Sequence, residues 1–156
     1  MKVRLAVISE AERLWFIRNQ AIRVGCQESY GKDIIKAWTP DIMPDFYREN
    51  IVENPSFVAV NDNDEPIATG LFNVKKSMFD IIFTLPEYFK TGASSLIINT
   101  LKQEAKRRNV EQIMIKALLN AETFYHRHGF VSIGHVNHYS VLVGKDIPCM
   151  GMVLSL

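Results

Sequence analysis

The 156-residue chain predicts a mixed α/β (α+β) fold: a mostly antiparallel sheet of about seven strands with a central parallel pair and helices on both faces. Three observations carry this expectation. Short segments alternate apolar and polar residues at the strand period, and longer ones repeat apolar residues at the helical period. One long helical segment also stands between two strands, an order that implies a right-handed crossover between parallel neighbours. A hydrophobic content of 47% with 22% charged residues supports a real core, and the length favours one domain over residues 1–156.

Val3 to Ile8 reads as the first strand. Ser9 with Glu12 forms a capping box that opens a helix carrying Leu14, Ile17, Ala21 and Ile22 on one side. From Ser29 to Asn54 the breakers Pro40 and Pro44, with Trp38, Phe46 and Tyr47 among helix formers, predict one or two short helices. Phe57 to Val60 and Ile67 to Val74 are strands joined by the turn Asn61 to Glu65, a hairpin. Met78 to Leu85 is a further strand. A helix then runs from about Gly92 to Arg108, with Ile97, Ile98, Leu101 and Ala105 at helical spacing, before a strand at Gln112 to Ala117. The next helix is short: Asn120 suits its N-cap, Glu122 its positive start, His126, Arg127 and His128 its negative end, and Gly129 a left-handed C′ position. Phe130 to Tyr139 and Ile147 to Leu154 close the sheet.

Composition excludes several functions. A formal charge of +1, from 18 basic and 17 acidic residues, gives no general field toward nucleic acid or anionic lipid. The basic run Lys102 to Arg108 reads as a solvated helix end. Two cysteines, Cys26 and Cys149, are too few for a disulfide framework and fit a reducing compartment. The apolar stretch at the N-terminus is interrupted too early by charge for a signal peptide, and no apolar run reaches the roughly 18 residues of a membrane helix. A cytoplasmic protein is expected. His126 and His128 diverge on their helix, and Asn61 to Glu65 lacks the glycine and the glutamate of a calcium loop, so no metal site is predicted.

The segment Pro86-Glu87-Tyr88-Phe89-Lys90-Thr91-Gly92-Ala93-Ser94-Ser95 joins a strand to a helix N-terminus through small residues. Unpaired amides and a positive dipole end then converge, which is an anion site by construction. Gly92 allows close approach, Ala93 and Ser94 keep the entrance small, and Lys90 or the hydroxyls of Thr91, Ser94 and Ser95 add donors. Without further context the same residues read rather as a turn and cap, since a single glycine at a helix start is usually that.

Further context lies in Asn120-Ala121-Glu122-Thr123-Phe124-Tyr125-His126-Arg127-His128-Gly129-Phe130. This run resembles the Asn-Ala-x-x-Phe-Tyr-x-x-x-Gly-Phe segment of the GNAT superfamily of acyl-CoA N-acyltransferases, and the element order is similar over nearly the whole chain. The resemblance implies an N-acetyltransferase that moves an acetyl group from acetyl-CoA to an amine by direct attack, and it allows a homodimer. It makes Tyr125 the general acid, or chiefly a hydrogen-bond donor, since a phenol of pKa about 10 gives its proton uphill to a thiolate of about 8.5. Asn120 becomes either a contact to the pantetheine arm or a plain N-cap. The strand at Met78 to Leu85 is expected to splay from Gln112 to Ala117 and admit that arm, with an amide of Phe83, Thr84 or Leu85 facing the thioester carbonyl. The pyrophosphate falls to the loop around residues 90 to 95. There the family pattern of Gln or Arg, two residues, Gly, one residue, then Gly or Ala is met at Gly92 but replaced at Phe89 and Ser94. The departures keep a non-catalytic acyl-CoA-binding module as the alternative. Asp80 and Glu28 are the candidates for taking the amine proton, and Tyr30, Trp38, Phe46 and Tyr47 either line the acceptor pocket or cover the first helices.

Overall fold

The computed structural model describes residues 1–156. Alternating apolar residues form seven strands: β1 (Lys2–Leu5), β2 (Ser56–Val60), β3 (Pro66–Asn73), β4 (Met78–Thr84), β5 (Gln112–Ala117), β6 (Val131–Ser140) and β7 (Lys145–Ser155). They make one sheet in the order β1-β2-β3-β4-β5-β7-β6. Only β4 and β5 run parallel, as the crossover requires. The helices are α1 (Ala11–Gly25), α2 (Gln27–Tyr30), α3 (Lys32–Trp38), α4 (Asp45–Glu53), α5 (Ala93–Arg107) and α6 (Glu122–Arg127).

Strand β3 is buried at every position from Pro66 to Phe72, which a sheet achieves only when both faces are covered. Helix α5 covers one face, with Ile97, Ile98, Leu101 and Ala105 buried. It comes so close at Gly70 that a Cβ there would stand 2.4 Å from Ile97 Cγ2. Helix α1 lies against β3 and β4 and brings Leu14, Ile17 and Ile22 into the core.

Local details differ from expectation where tertiary partners take over. The cap before α1 is made by Glu10, not by Ser9 and Glu12. Glu10 Oε1 accepts the Val7 N–H at 2.9 Å, and its carboxylate is fixed by Arg4 at 2.8 Å, so a 3-10 turn at Ile8–Glu10 precedes the helix and β1 ends at Leu5. Between Ser29 and Asn54 the two short helices α3 and α4 form as expected, and Gly31 at φ 81° separates α3 from α2, which begins earlier at Gln27. Asn120 does not cap α6: a 3-10 turn spans Leu119–Ala121, and Ala121 takes the cap position. The hairpin turn is as expected, with Asn61 Oδ1 accepting the N–H groups of Asn63 and Glu65 at 2.9 and 3.0 Å.

Two irregularities of β4 shape the site. Thr69 pairs with Phe83 and Leu71 with Asp80, so Ile81 and Ile82 both face Gly70 in a bulge. Ile81 sits at φ 53°, unusual for a β-branched residue, and its N–H donates to Asp80 Oδ1 at 2.8 Å. Strands β4 and β5 meet in register only at Met78 and Met114, and beyond that pair they diverge.

Candidate active site

The divergence opens onto the start of α5. Gly92 is left-handed at φ 91°, and the first bond of this turn runs from Leu96 N–H to Gly92 O at 3.0 Å. The N–H groups of Gly92, Ala93, Ser94 and Ser95 donate to no backbone partner and project from the helix start. They border a depression of about 480 Å³ whose walls include Tyr88, Lys90, Phe124 and Arg127. Ser94, although larger than the alanine or glycine of the family pattern, does not obstruct it. Its hydroxyl shares a hydrogen bond of 2.6 Å with Thr84 Oγ1 at the end of β4. Ser95 turns toward His128 Nε2 at 3.0 Å. The amide and hydroxyl of Thr91 both donate to Tyr88 O, so Thr91 contributes neither group to the depression. Lys90 stands at φ 62° with its side chain on the wall. Phe89 reaches the other way: its ring lies 3.8 Å from where a Gly25 Cβ would be, with the Asn120 amide beside it.

Arg127, which the sequence marks only as a dipole-complementing cation of α6, is the additional cation of the depression. An exposed cation on a phosphate adds a modest, screenable attraction. The Arg127→Ala chain is therefore expected to bind acetyl-CoA roughly three- to fivefold more weakly at low salt, and the difference to shrink as salt rises in the same titration.

Along β4 the Leu85 N–H is taken by Ile67 O at 2.9 Å, so Leu85 is not free to serve as a donor. Phe83 lies opposite Thr69 on the same ladder, and the alternation of antiparallel bonding turns the Thr84 amide to the edge that faces β5. Asp80, exposed at the bulge, is nearer the parallel pair.

Tyr125 is buried, its ring edge-on to Phe124 at 5.1 Å and Phe130 at 5.6 Å. The Tyr125 hydroxyl bonds to nothing in the protein, and since no fully enclosed side-chain oxygen lacks a partner, it is not completely enclosed. Burial first, and then the Asp80 charge, hold this phenol well above its ordinary pKa. The Asp80 charge also reaches Tyr47, Arg18, His138 and Cys149, in each case behind the larger effect of burial. Glu28 is exposed on α2. Asn120 lies beside Cys26, whose thiol burial pushes up to about 11, and burial raises Cys149 too, so neither thiol is a ready nucleophile. Tyr30 and Trp38 are buried edge-on to each other, Tyr47 packs on Trp15, and Phe46 is exposed. The Tyr30 hydroxyl donates to Pro148 O at 2.7 Å and accepts the Leu119 N–H at 3.0 Å, tying α2 to β7 and to the turn before α6. No group of three or more His, Cys, Asp or Glu side chains is placed to hold a metal ion. No helix is long and apolar enough to cross a membrane.

The sequence model of the family described as acetyltransferase (GNAT) domain matches residues 26–154. An uncharacterized acetyltransferase of Streptococcus pyogenes serotype M1 is 30% identical over 95 residues, 59% of this chain and 67% of the relative. Among solved structures, a GCN5-related N-acetyltransferase from Rhodopseudomonas palustris superposes with a TM-score of 0.89 at 16% identity, covering 99% of this chain and 95% of that one. The PaiA N-acetyltransferase of Thermoplasma acidophilum, solved in complex with coenzyme A, gives a TM-score of 0.77 at 14% identity over the full length of both chains.

Proposed function

This chain belongs to the GNAT acetyltransferase family, and from that premise we propose that it transfers the acetyl group of acetyl-CoA to the nitrogen of an amine by direct attack. The supporting observation is the row of unpaired amides from Gly92 to Ser95, set beside an open strand edge that leads toward Asp80 and Tyr125. Four N–H groups at a helix start, with Lys90 and Arg127 on the wall, suit a diphosphate, so these residues fit the donor. Acetyl-CoA supplies a thioester activated toward nitrogen nucleophiles.

The remaining work falls to the chain. The free edge of β4 holds the extended arm as an added strand would be held, and the Thr84 amide faces the carbonyl oxygen, where negative charge develops. Asp80 takes the proton that the amine must lose as its nitrogen bonds to the carbonyl carbon. Tyr125 donates a hydrogen bond to the sulfur as the carbon–sulfur bond breaks. Its raised pKa keeps the phenol protonated but makes complete transfer unfavourable, so hydrogen bonding is its main role and the thiol proton comes from the medium. Asn120, unused as a cap, remains available to the arm of the donor.

The proposal takes residues 1–156 as one acyltransferase domain, since β1 and α1 precede the matched segment yet pair with β2 and pack on β4. The free thiols of Cys26 and Cys149 favour a cytoplasmic setting. Titration calorimetry with acetyl-CoA tests the reading. Binding is expected with Kd in the roughly 1 μM to 1 mM span usual for enzyme substrates, and no heat at millimolar acetyl-CoA ends it.

A further inference from the structure

We propose that the acceptor is a zwitterion, an amine that also carries a carboxylate, and that Arg18 receives the carboxylate while Asp80 faces the amine. This rests on the acyltransferase reading for the role of the amine, but the anion site at Arg18 stands on its own geometry.

Arg18 is only 7% exposed, at the position of α1 between Leu14 and Ile22 on the buried face. Its Nη1 donates to Asn19 Oδ1 at 2.8 Å and to Trp38 O at 2.9 Å. Those bonds use two of the five N–H groups of a guanidinium, and the three on Nε and Nη2 donate to nothing in the chain. Because no fully enclosed side-chain nitrogen lacks a partner, Nε and Nη2 are not completely enclosed. None of the ion pairs of the protein includes Arg18. A buried cation held only by neutral acceptors is an uncompensated charge, and a ligand anion is the missing compensation.

The guanidinium is also shaped for the task. The Trp15 ring lies 4.3 Å from Cζ and the Trp38 ring 5.8 Å away, so the plane of the fork is set before a ligand arrives. Two parallel N–H bonds to a carboxylate need this fixed plane, which a lysine cannot offer. Burial lowers the Arg18 pKa to about 10, so it remains charged at neutral pH. Helix α1 packs against β4, the strand that carries Asp80, and no ion pair joins the two groups, so a cation and a carboxylate stand on neighbouring elements without neutralising each other, as recognition of a zwitterion requires.

The test uses matched acceptors: phenylalanine against phenethylamine, and leucine against isopentylamine. Binding is titrated by calorimetry in the presence of CoA, and CoA release from acetyl-CoA is followed with each acceptor. For the wild-type chain, affinity and kcat/KM should favour the carboxylate-bearing member of each pair by tenfold or more. In Arg18→Gln that preference should collapse toward unity, and in Arg18→Lys it should be retained only in part, since an ammonium keeps the charge without the fork. If the wild-type chain treats both members alike or prefers the neutral one, the proposal falls, whether or not the variants fold. If Arg18→Gln folds and keeps the preference, it falls as well. Tighter binding of the amino acids with no CoA release and no acetyl-CoA binding would leave the anion site standing and remove the acyltransferase reading.

Discussion

Replacing Tyr125 by Phe lowers kcat by about 10²-fold or more, the scale of losing one positioned hydrogen-bond donor to developing negative charge, while acetyl-CoA affinity stays within about twofold. The change is a clean one because the hydroxyl bonds to nothing in the protein and the ring is held by Phe124 and Phe130. Removing a hydroxyl without an internal partner leaves no orphaned group, so thermal stability should hold within roughly 0.5 kcal/mol. The pH profile gives a second readout. Burial and Asp80 raise the folded pKa of this phenol above 10, so the donor form persists throughout the neutral range and any loss through Tyr125 begins only above pH 10. A wild-type kcat that declines from about pH 8 belongs to another group. Steady-state CoA release with the variant at saturating substrates decides the matter, and an unchanged rate removes the tyrosine from the chemistry and favours the non-catalytic binding module.

Gly70→Val destabilises the protein by about 3 kcal/mol or more, lowering Tm by roughly 6 to 12 °C. A Cβ at this position meets Ile97 Cγ2 at 2.4 Å, Leu101 Cδ1 at 3.1 Å and Ile82 Cγ1 at 3.3 Å. The closest of these, Ile97 Cγ2, is fixed to the Cβ of a buried β-branched residue, so relief requires α5 to lift from β3. That movement would separate the Ser94 hydroxyl from Thr84 and displace the amides above the depression. Activity should therefore fall below what stability alone accounts for, measured well under the melting point. A double-mutant cycle with Ile97→Ala checks the cause: the penalty of Gly70→Ala should shrink when the Ile97 methyl is absent. An equal penalty in both backgrounds would place the strain elsewhere.

The order of strands and helices was legible because alternation and helical spacing report burial, and burial is what the sheet and α5 supply. Ends and caps were less so. Ser9 and Glu12 have the spacing of a capping box, but Arg4 recruits Glu10, a contact that no local pattern announces. Asn120 is a good cap in sequence and lies instead against Gly25 and Cys26. At the site, Gly92 and the small residues after it announced the row of amides, whereas the Ser94 to Thr84 bond could not be seen from either residue. Arg18 carries its own signal in the spacing: it falls four residues after Leu14 and four before Ile22, on the buried side of α1. Nothing in Met78 to Leu85 marks the bulge, since isoleucine is an ordinary strand residue and it is Gly70, on the next strand, that has two neighbours opposite it.

At Ile81 endurance and activity pull in opposite directions. A β-branched residue held at φ 53° costs roughly 1 to 3 kcal/mol relative to a relaxed strand, and that deficit must be covered by the core around it. Selection for thermal robustness alone would straighten β4 or place glycine there. Either change would loosen the hydrogen bond that aims Asp80. Stabilising substitutions gathered elsewhere in the protein should thus accumulate freely, while those gathered here should tend to exchange turnover for melting temperature.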